Sequence, residues 1–369
     1  NTKELGLDFG DTLNKEGTLS YRFTGLLRDG ELEYPFSKDD EVFAMGSLQW
    51  RPSDATELTL IVDHLDRDYV PGSGGFPVGY DFDRSSVFYG EPEYNFRGTE
   101  RTTVSLLATH DYGNGLKFSG NMRYTDGSSD FGYAYVSGSE GDRVNRSYFA
   151  SEGSGDSFIA DVHLSYDGII GTATSKTLVG LEFSRSDESD QRFFGGAPSV
   201  DLENPVYTGI PASVPIFADL DVETEGKAVY VQQEFNWSEK VIASFGLRHD
   251  WIDVTETNNL SSTVTEGEIS ATTGRIGLTY KITPDIAVYG SFAQSVVPAG
   301  TGVAPEEGEQ FELGAKWRPA GTNALFSASV YDLSKTNITR TNPVTSLREA
   351  IGEVGVRGID LEAKSEFGA

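Results

Sequence analysis

Three groups of aromatic residues stand in stretches otherwise rich in Gly, Ser and Asp. They are Tyr69, Phe76, Tyr80 and Phe82, then Phe131, Tyr133 and Tyr135, then Phe193 and Phe194. A connector with nothing to bind gains nothing from exposing so many rings. Closely spaced rings suit a bulky, partly apolar ligand whose orientation is fixed by a few polar groups. The four histidines, His64, His110, His163 and His249, are scattered along the chain. A metal site needs several convergent ligands, so no metal ligand is assigned, and no catalytic constellation stands out. With no Cys, a disulfide scaffold and a Cys-ligated zinc or iron–sulfur site are excluded. The 42 glycines show no phosphate-loop arrangement and read as turn and close-packing residues. The acidic run Asp39-Asp40-Glu41 reads as a solvated loop.

Those rings need a scaffold. Of 369 residues, 37% are apolar and 12% aromatic, and the net charge is −28. The aromatic fraction argues against disorder. The charge argues against nucleic-acid binding, which needs a basic face. No run approaches the roughly 18 apolar residues of a membrane helix. What recurs instead is alternation with a period of two, the signature of strands with one apolar and one polar face. In 116–124 one face carries Leu116, Phe118, Met122 and Tyr124, and the other Lys117, Ser119, Asn121 and Arg123. In 310–317, Phe311, Leu313, Ala315 and Trp317 oppose Gln310, Glu312 and Lys316. No segment sustains a 3.6-residue period, so the chain is expected to be all-β. About 15 strands are expected, near 4–10, 18–28, 41–51, 56–67, 101–112, 116–125, 157–166, 174–185, 226–237, 241–252, 269–281, 286–295, 309–317, 323–333 and 353–367.

The connectors alternate in length. Short ones contain turn residues such as Asn114-Gly115 and Pro284-Asp285. Long ones are expected near 29–40, 68–100, 126–156, 186–225, 253–268, 296–308 and 334–352. An antiparallel meander sends alternate connectors to opposite ends, as in outer-membrane barrels with short turns on one side and large loops on the other. Six strands leading into short turns end on an aromatic: Trp50, Tyr112, Tyr166, Trp237, Tyr280 and Trp317. A ring of aromatics at one depth is what a membrane–water interface selects. Tyr124, Trp251 and Tyr331 are candidates for the opposite ring. An antiparallel transmembrane β-barrel is the expected fold. Fifteen is odd and single-chain bacterial barrels are usually even. The chain also opens and closes on strand-like runs, so it is expected to be an interior portion of a larger barrel, with residues 1–369 as one partial-barrel domain.

Several ordered stretches carry a family resemblance. They include Leu48-Gln-Trp-Arg-Pro-Ser-Asp-Ala-Thr-Glu-Leu-Thr-Leu60, Tyr89-Gly-Glu-Pro92, Ala243-Ser-Phe-Gly-Leu-Arg-His-Asp-Trp251, Gly308-Glu-Gln-Phe-Glu-Leu-Gly-Ala-Lys-Trp317 and Gly352-Glu-Val-Gly-Val-Arg-Gly-Ile-Asp-Leu-Glu362. In this order and spacing the chain resembles the β-barrel of TonB-dependent ferric-siderophore receptors, in particular the ferrichrome receptor branch. The resemblance implies a 22-stranded barrel of which this chain holds about 15 strands. It implies a location in the outer membrane of a Gram-negative bacterium, contact with outer-membrane lipid, and a monomer when complete. It further implies an N-terminal plug with a TonB-contacting segment, both absent from this sequence.

The resemblance implies transport without covalent chemistry, of a ferric siderophore of hydroxamate type. No resident cofactor is expected, because the iron arrives already wrapped in its chelator. In the ferrichrome receptor branch, aromatic loop residues help line the siderophore pocket. Tyr133 and Tyr135, in Phe131-Gly-Tyr-Ala-Tyr135, look most similar to that pattern, and Tyr69 and Phe194 match less closely. The candidate ligand-binding set is Tyr69, Phe76, Phe131, Tyr133, Tyr135, Phe193 and Phe194. A receptor for cobalamin or a saccharide, a passive porin, and a phage-attachment surface remain as alternatives.

Overall fold

A computed structural model describes residues 1–72, 74–79, 87–298, 301–341 and 348–365. Those residues form one antiparallel sheet of 15 strands, each paired with its neighbours in the chain. The strands are β1 (Thr2–Thr12), β2 (Leu19–Gly30), β3 (Asp39–Ser53), β4 (Thr56–Tyr69), β5 (Phe96–Asp111), β6 (Leu116–Glu140), β7 (Arg143–Ile170) and β8 (Ala173–Asp201). They continue with β9 (Ile216–Trp237), β10 (Val241–Asn258), β11 (Thr263–Thr283), β12 (Ile286–Val297), β13 (Glu306–Trp317), β14 (Ala324–Thr341) and β15 (Arg348–Ser365). Every strand expected from alternation has one counterpart. Tight turns such as 113–115 carry the required chemistry: Gly115 has φ +86°, and a Cβ there would sit 2.5 Å or less from the Asp167 carbonyl oxygen, at 2.3 Å.

Register settles which residues share a face. Trp237 lies opposite Val241, Val241 opposite Tyr280, Tyr280 opposite Val288, and Ile286 opposite Trp317. Trp50 lies opposite Leu19 and Leu58, and Tyr166 opposite Leu116. The aromatics at the short-turn end therefore follow one apolar face. That face is unburied: Leu361 is 79% exposed, Ile359 72% and Leu313 65%. Each such side chain gains about 1.5–3 kcal/mol on leaving water, so a sheet with this face needs an apolar solvent, and lipid supplies it. Tyr331 departs from the expected second ring. It lies opposite Glu312, while its neighbour Val330 lies opposite Leu313, so alternation puts Tyr331 on the polar face.

The polar face carries ion pairs between strands that are neighbours in the sheet or one strand apart. Arg28 meets Glu4 at 2.9 Å, Arg101 meets Asp63 at 3.0 Å, and Arg248 meets Glu182 at 2.7 Å. Among the described residues β1 and β15 are the edges of the sheet. Backbone groups along a sheet edge cannot be left unpaired in lipid.

The main departure from the sequence reading lies beyond the short strands. β6, β7 and β8 run for 25, 28 and 29 residues, where about 10 suffice to cross a bilayer. The expected loop 126–156 is almost wholly strand, broken only by 141–142, and the expected loop 186–225 is strand up to Asp201 and again from Ile216. Phe131, Tyr133, Tyr135, Phe193 and Phe194 are thus strand residues rather than loop residues. The segments that rise out of the membrane are Ser-, Gly- and Asp-rich, as in Asp126–Asp130 and Gly153–Ser157. They lack apolar alternation because neither face meets lipid there, which hid them from a hydrophobic pattern.

Candidate functional site

The tall strands keep their alternation without a register slip from the membrane zone up to Val136. The face bearing Phe118 and Tyr124 continues into Ala134 and Val136, and the polar face continues into Phe131, Tyr133 and Tyr135. On β7 the burial alternates in step. Val144, Arg146, Tyr148 and Ala150 are buried, while Asn145, Ser147 and Phe149 between them are half-buried.

Three connectors cover the first of these faces, where lipid no longer reaches. The described parts of 70–95 and the segment 202–215 lie on it, and 31–38 packs on them through Phe36, whose ring meets those of Phe88 and Tyr207. Arg146 is the anchor. Its Nη2 meets Glu91 Oε2 at 3.1 Å, Nη1 donates to the Gly90 carbonyl at 2.7 Å, and Nε donates to the Pro198 carbonyl at 2.9 Å. Both charged side chains are fully buried. Glu91 Oε1 accepts from the backbone N–H groups of Thr208 and Gly209 at 3.0 and 2.9 Å. A buried ion pair is tolerated only when its remaining polar atoms are satisfied, and these are. Asn95 Oδ1 accepts from the backbone of both Glu91 and Ala134. Tyr89 donates to the Leu202 carbonyl at 2.6 Å and Tyr207 to the Phe88 carbonyl at 2.9 Å. Burial, with Glu91 nearby, holds the Tyr207 phenol above its ordinary pKa. Gly90 has no room for a side chain: a Cβ would come within 2.2 Å of Asn95 Nδ2 and 2.7 Å of the Phe88 ring. The segment Tyr89-Gly-Glu-Pro92 is therefore the clasp that pins this connector to the tall hairpin.

The opposite face stays open and carries rings. Phe131 and Tyr133 have centroids 4.9 Å apart, and Tyr133 stacks on Tyr135 at 4.9 Å. Phe149, directly across from Tyr133, lies 6.1 Å from it. Phe194 is directly across from Phe149. The register of β8 and β9 then slips by one residue between Arg192 and Phe193, leaving Phe217 without an opposing residue. A bulge of this kind re-aims a side chain, and the Phe217 ring sits 6.2 Å from Phe149 and 6.5 Å from Phe194. Phe194 and Phe217 remain about half exposed, at 48% and 51%. Tyr69 joins at the margin through Arg97, whose guanidinium lies 5.6 Å from the Tyr69 centroid and 6.0 Å from that of Phe131.

Of the residues singled out in the sequence, the structure brings Phe131, Tyr133, Tyr135 and Phe194 into one wall, with Tyr69 beside it. It places Phe76 among the covered residues, edge-on to buried Tyr89, and Phe193 against the buried cluster of Tyr94, Tyr148 and Ala150. Tyr80 and Phe82 lie outside the described residues. Phe149, Phe217 and Arg97 were missed. Period-two spacing of Phe131, Tyr133 and Tyr135 is itself a strand signal and could have pointed to Phe149 on the facing strand. Nothing local announces a bulge at Phe217.

A separate hollow of about 780 Å³ lies over β11–β15, lined by Ile276, Leu278, Phe292, Leu313 and Ile359. It belongs to the lipid-facing apolar surface and carries none of the ring wall.

Residues 49–369 match the family model described as TonB dependent receptor-like, beta-barrel. The chain is 26% identical over 382 residues to the ferrioxamine B receptor of Salmonella typhimurium, covering 100% of this chain and 54% of that protein. It is 25% identical over 408 residues to the ferrichrome outer membrane transporter/phage receptor of Escherichia coli, covering 99% and 54%. The chain thus spans about half the length of the curated relatives it matches. Among solved structures, the siderophore receptor PiuA from Acinetobacter baumannii superposes with a TM-score of 0.87 at 18% identity, over 100% of this chain and 60% of that one. The ferripyoverdine receptor of Pseudomonas aeruginosa gives 0.85 at 17% identity, over 100% and 52%. The fold is shared with both.

Proposed function

This chain belongs to the TonB-dependent receptor-like β-barrel family, and from that premise we propose that it forms most of the barrel wall of an outer-membrane receptor that takes up a ferric siderophore of hydroxamate type. The observation that carries the reading is the open wall of Phe131, Tyr133, Tyr135, Phe149, Phe194 and Phe217 on the face continuous with the polar lumen wall. A chelate landing there meets rings at the mouth and charged side chains below. Ferrioxamines and ferrichrome are hydroxamate chelates, and receptors for both are among the relatives, which supports this class of cargo.

The protein's part is capture and orientation. The chelator already saturates the iron, so the wall supplies contact area rather than metal ligands. Stacked rings offer large apolar area at low conformational-entropy cost, because each is held by its neighbours. The partial barrel is completed by further strands that pair with β1 and β15. An N-terminal plug closes the lumen, and TonB, acting on a segment of that plug, releases the chelate inward. These parts belong to the complete receptor.

The test is equilibrium binding by the complete receptor in outer-membrane vesicles. Ferric hydroxamates, ferric catecholates, cobalamin and oligosaccharides are compared, with Tyr133→Ala alongside. Selective binding of a ferric hydroxamate, weakened by the substitution, is expected. Selective binding of any other of these ligands overturns the cargo assignment.

A further inference from the structure

Arginines on the polar face differ in what they meet. Arg28, Arg67, Arg101 and Arg248 each meet at least one carboxylate within 4 Å. Arg97 meets none among the described residues. Its contacts are rings: Tyr69 on one side and Phe131 on the other. Arg97 lies directly across from Tyr69 on β4 and from Phe131 on β5's other neighbour, β6. This places it at the foot of the ring wall, exposed to the space the rings border. Among the described residues, Arg123 and Arg275 on this face also lack a carboxylate partner, but they donate to Ser105 and Gln232, whereas Arg97 lies against the rings of the wall.

Its surroundings explain how it is held. Two aromatic faces attract a guanidinium through their quadrupoles without neutralising it. The guanidinium keeps its planar fork of N–H donors, which matches oxygen pairs such as carboxylates. A second guanidinium, that of Arg67, lies 5.0 Å from the Tyr69 centroid, and Arg67 is neutralised by Asp39. Among the described residues the row therefore presents one unneutralised charge beside Phe131, within the same contact surface as Tyr133.

We propose that Arg97 is a specificity-determining contact of the ring wall: it docks the negatively polarised oxygens of a ferric chelate and favours chelates that carry a free carboxylate over those that carry a free ammonium. This rests on the reading of the wall as a ferric-chelate site and adds the charge class that the site selects. The rings supply area without regard to charge, and Arg97 supplies the sign.

The experiment uses the complete receptor and a matched pair of ligands. One is a linear ferric trihydroxamate ending in an ammonium. The other is the same chelate with that amine succinylated, so that it ends in a carboxylate. Binding of both is measured for the unchanged receptor, Arg97→Gln and Arg97→Lys, at low and high salt. The unchanged receptor is expected to prefer the carboxylate form by about fivefold, the range of an exposed ion pair. Arg97→Gln brings the ratio to near one, Arg97→Lys keeps part of it, and salt shrinks it by screening. An unchanged ratio in Arg97→Gln overturns the proposal. So does equal weakening of both ligands, which would mean that Arg97 only supports the wall or pairs with another part of the receptor. If neither chelate binds while a different nutrient does, the cargo assignment itself has failed, a result distinct from a lost charge preference.

Discussion

Tyr148 and Phe149 are chain neighbours on β7, and alternation sends them to opposite faces of the same tall hairpin. Tyr148 is 3% exposed, with its ring 4.9 Å from that of Tyr94 beneath the connector 70–95. Phe149 is only half-buried and touches Tyr133 and Phe217 on the open face. Phe193 and Phe194 repeat the division on β8. One face has acquired a lid of three connectors, a buried ion pair and satisfied backbone groups. The other has equally large rings and, among the described residues, no cover. Folding would be served by covering both. The open face fits the ligand surface proposed above.

The difference can be broken from its covered side first. Arg146→Ala leaves Glu91 buried without its partner, an expected loss of about 3–5 kcal/mol. Amide hydrogen exchange should show it as lost protection in 70–95 and 202–215, with the membrane segment of β10 unchanged. Equal loss across the whole sheet would mean that the clasp is not a local device. Tyr148→Ala comes next. Truncating a buried ring costs about 3–5 kcal/mol, read in the same exchange experiment, and the cost should fall on the same connectors. Gly90→Ala should cost less, about 1–3 kcal/mol, because Asn95 and the Phe88 ring must shift to admit one methyl group. Protease nicking in 70–95 would report it, and unchanged resistance would show that the cradle is looser than its distances suggest. The smallest stability effect belongs to Phe194→Ala on the open face: about 1 kcal/mol or less, while chelate affinity drops about tenfold.

The membrane part of this molecule was legible because lipid imposes a rule on sequence. Leu116, Phe118, Met122 and Tyr124 alternate with polar residues, and the six aromatics before the short turns lie in phase. Above the membrane that rule lapses. Asp126–Asp130 and Gly153–Ser157 pair as strands through backbone hydrogen bonds, with no apolar stripe to reveal them. The ring residues were found by type, and their partners were not, because the wall depends on register between strands. Tyr133 and Phe149 are brought together by β6–β7 pairing, and Phe217 by a bulge. The clasp joins Glu91 to Arg146 across 55 residues. Only the segment Tyr89-Gly-Glu-Pro92 drew notice in the sequence, and then as a resemblance without a physical role.

The most direct test of the two-face account is a paired measurement on Phe149→Ala in the complete receptor: affinity for a ferric trihydroxamate, and amide exchange in 70–95. The account expects affinity about tenfold weaker, with protection of 70–95 unchanged. Unaltered affinity, or loss of protection equal to that of Tyr148→Ala, would contradict it.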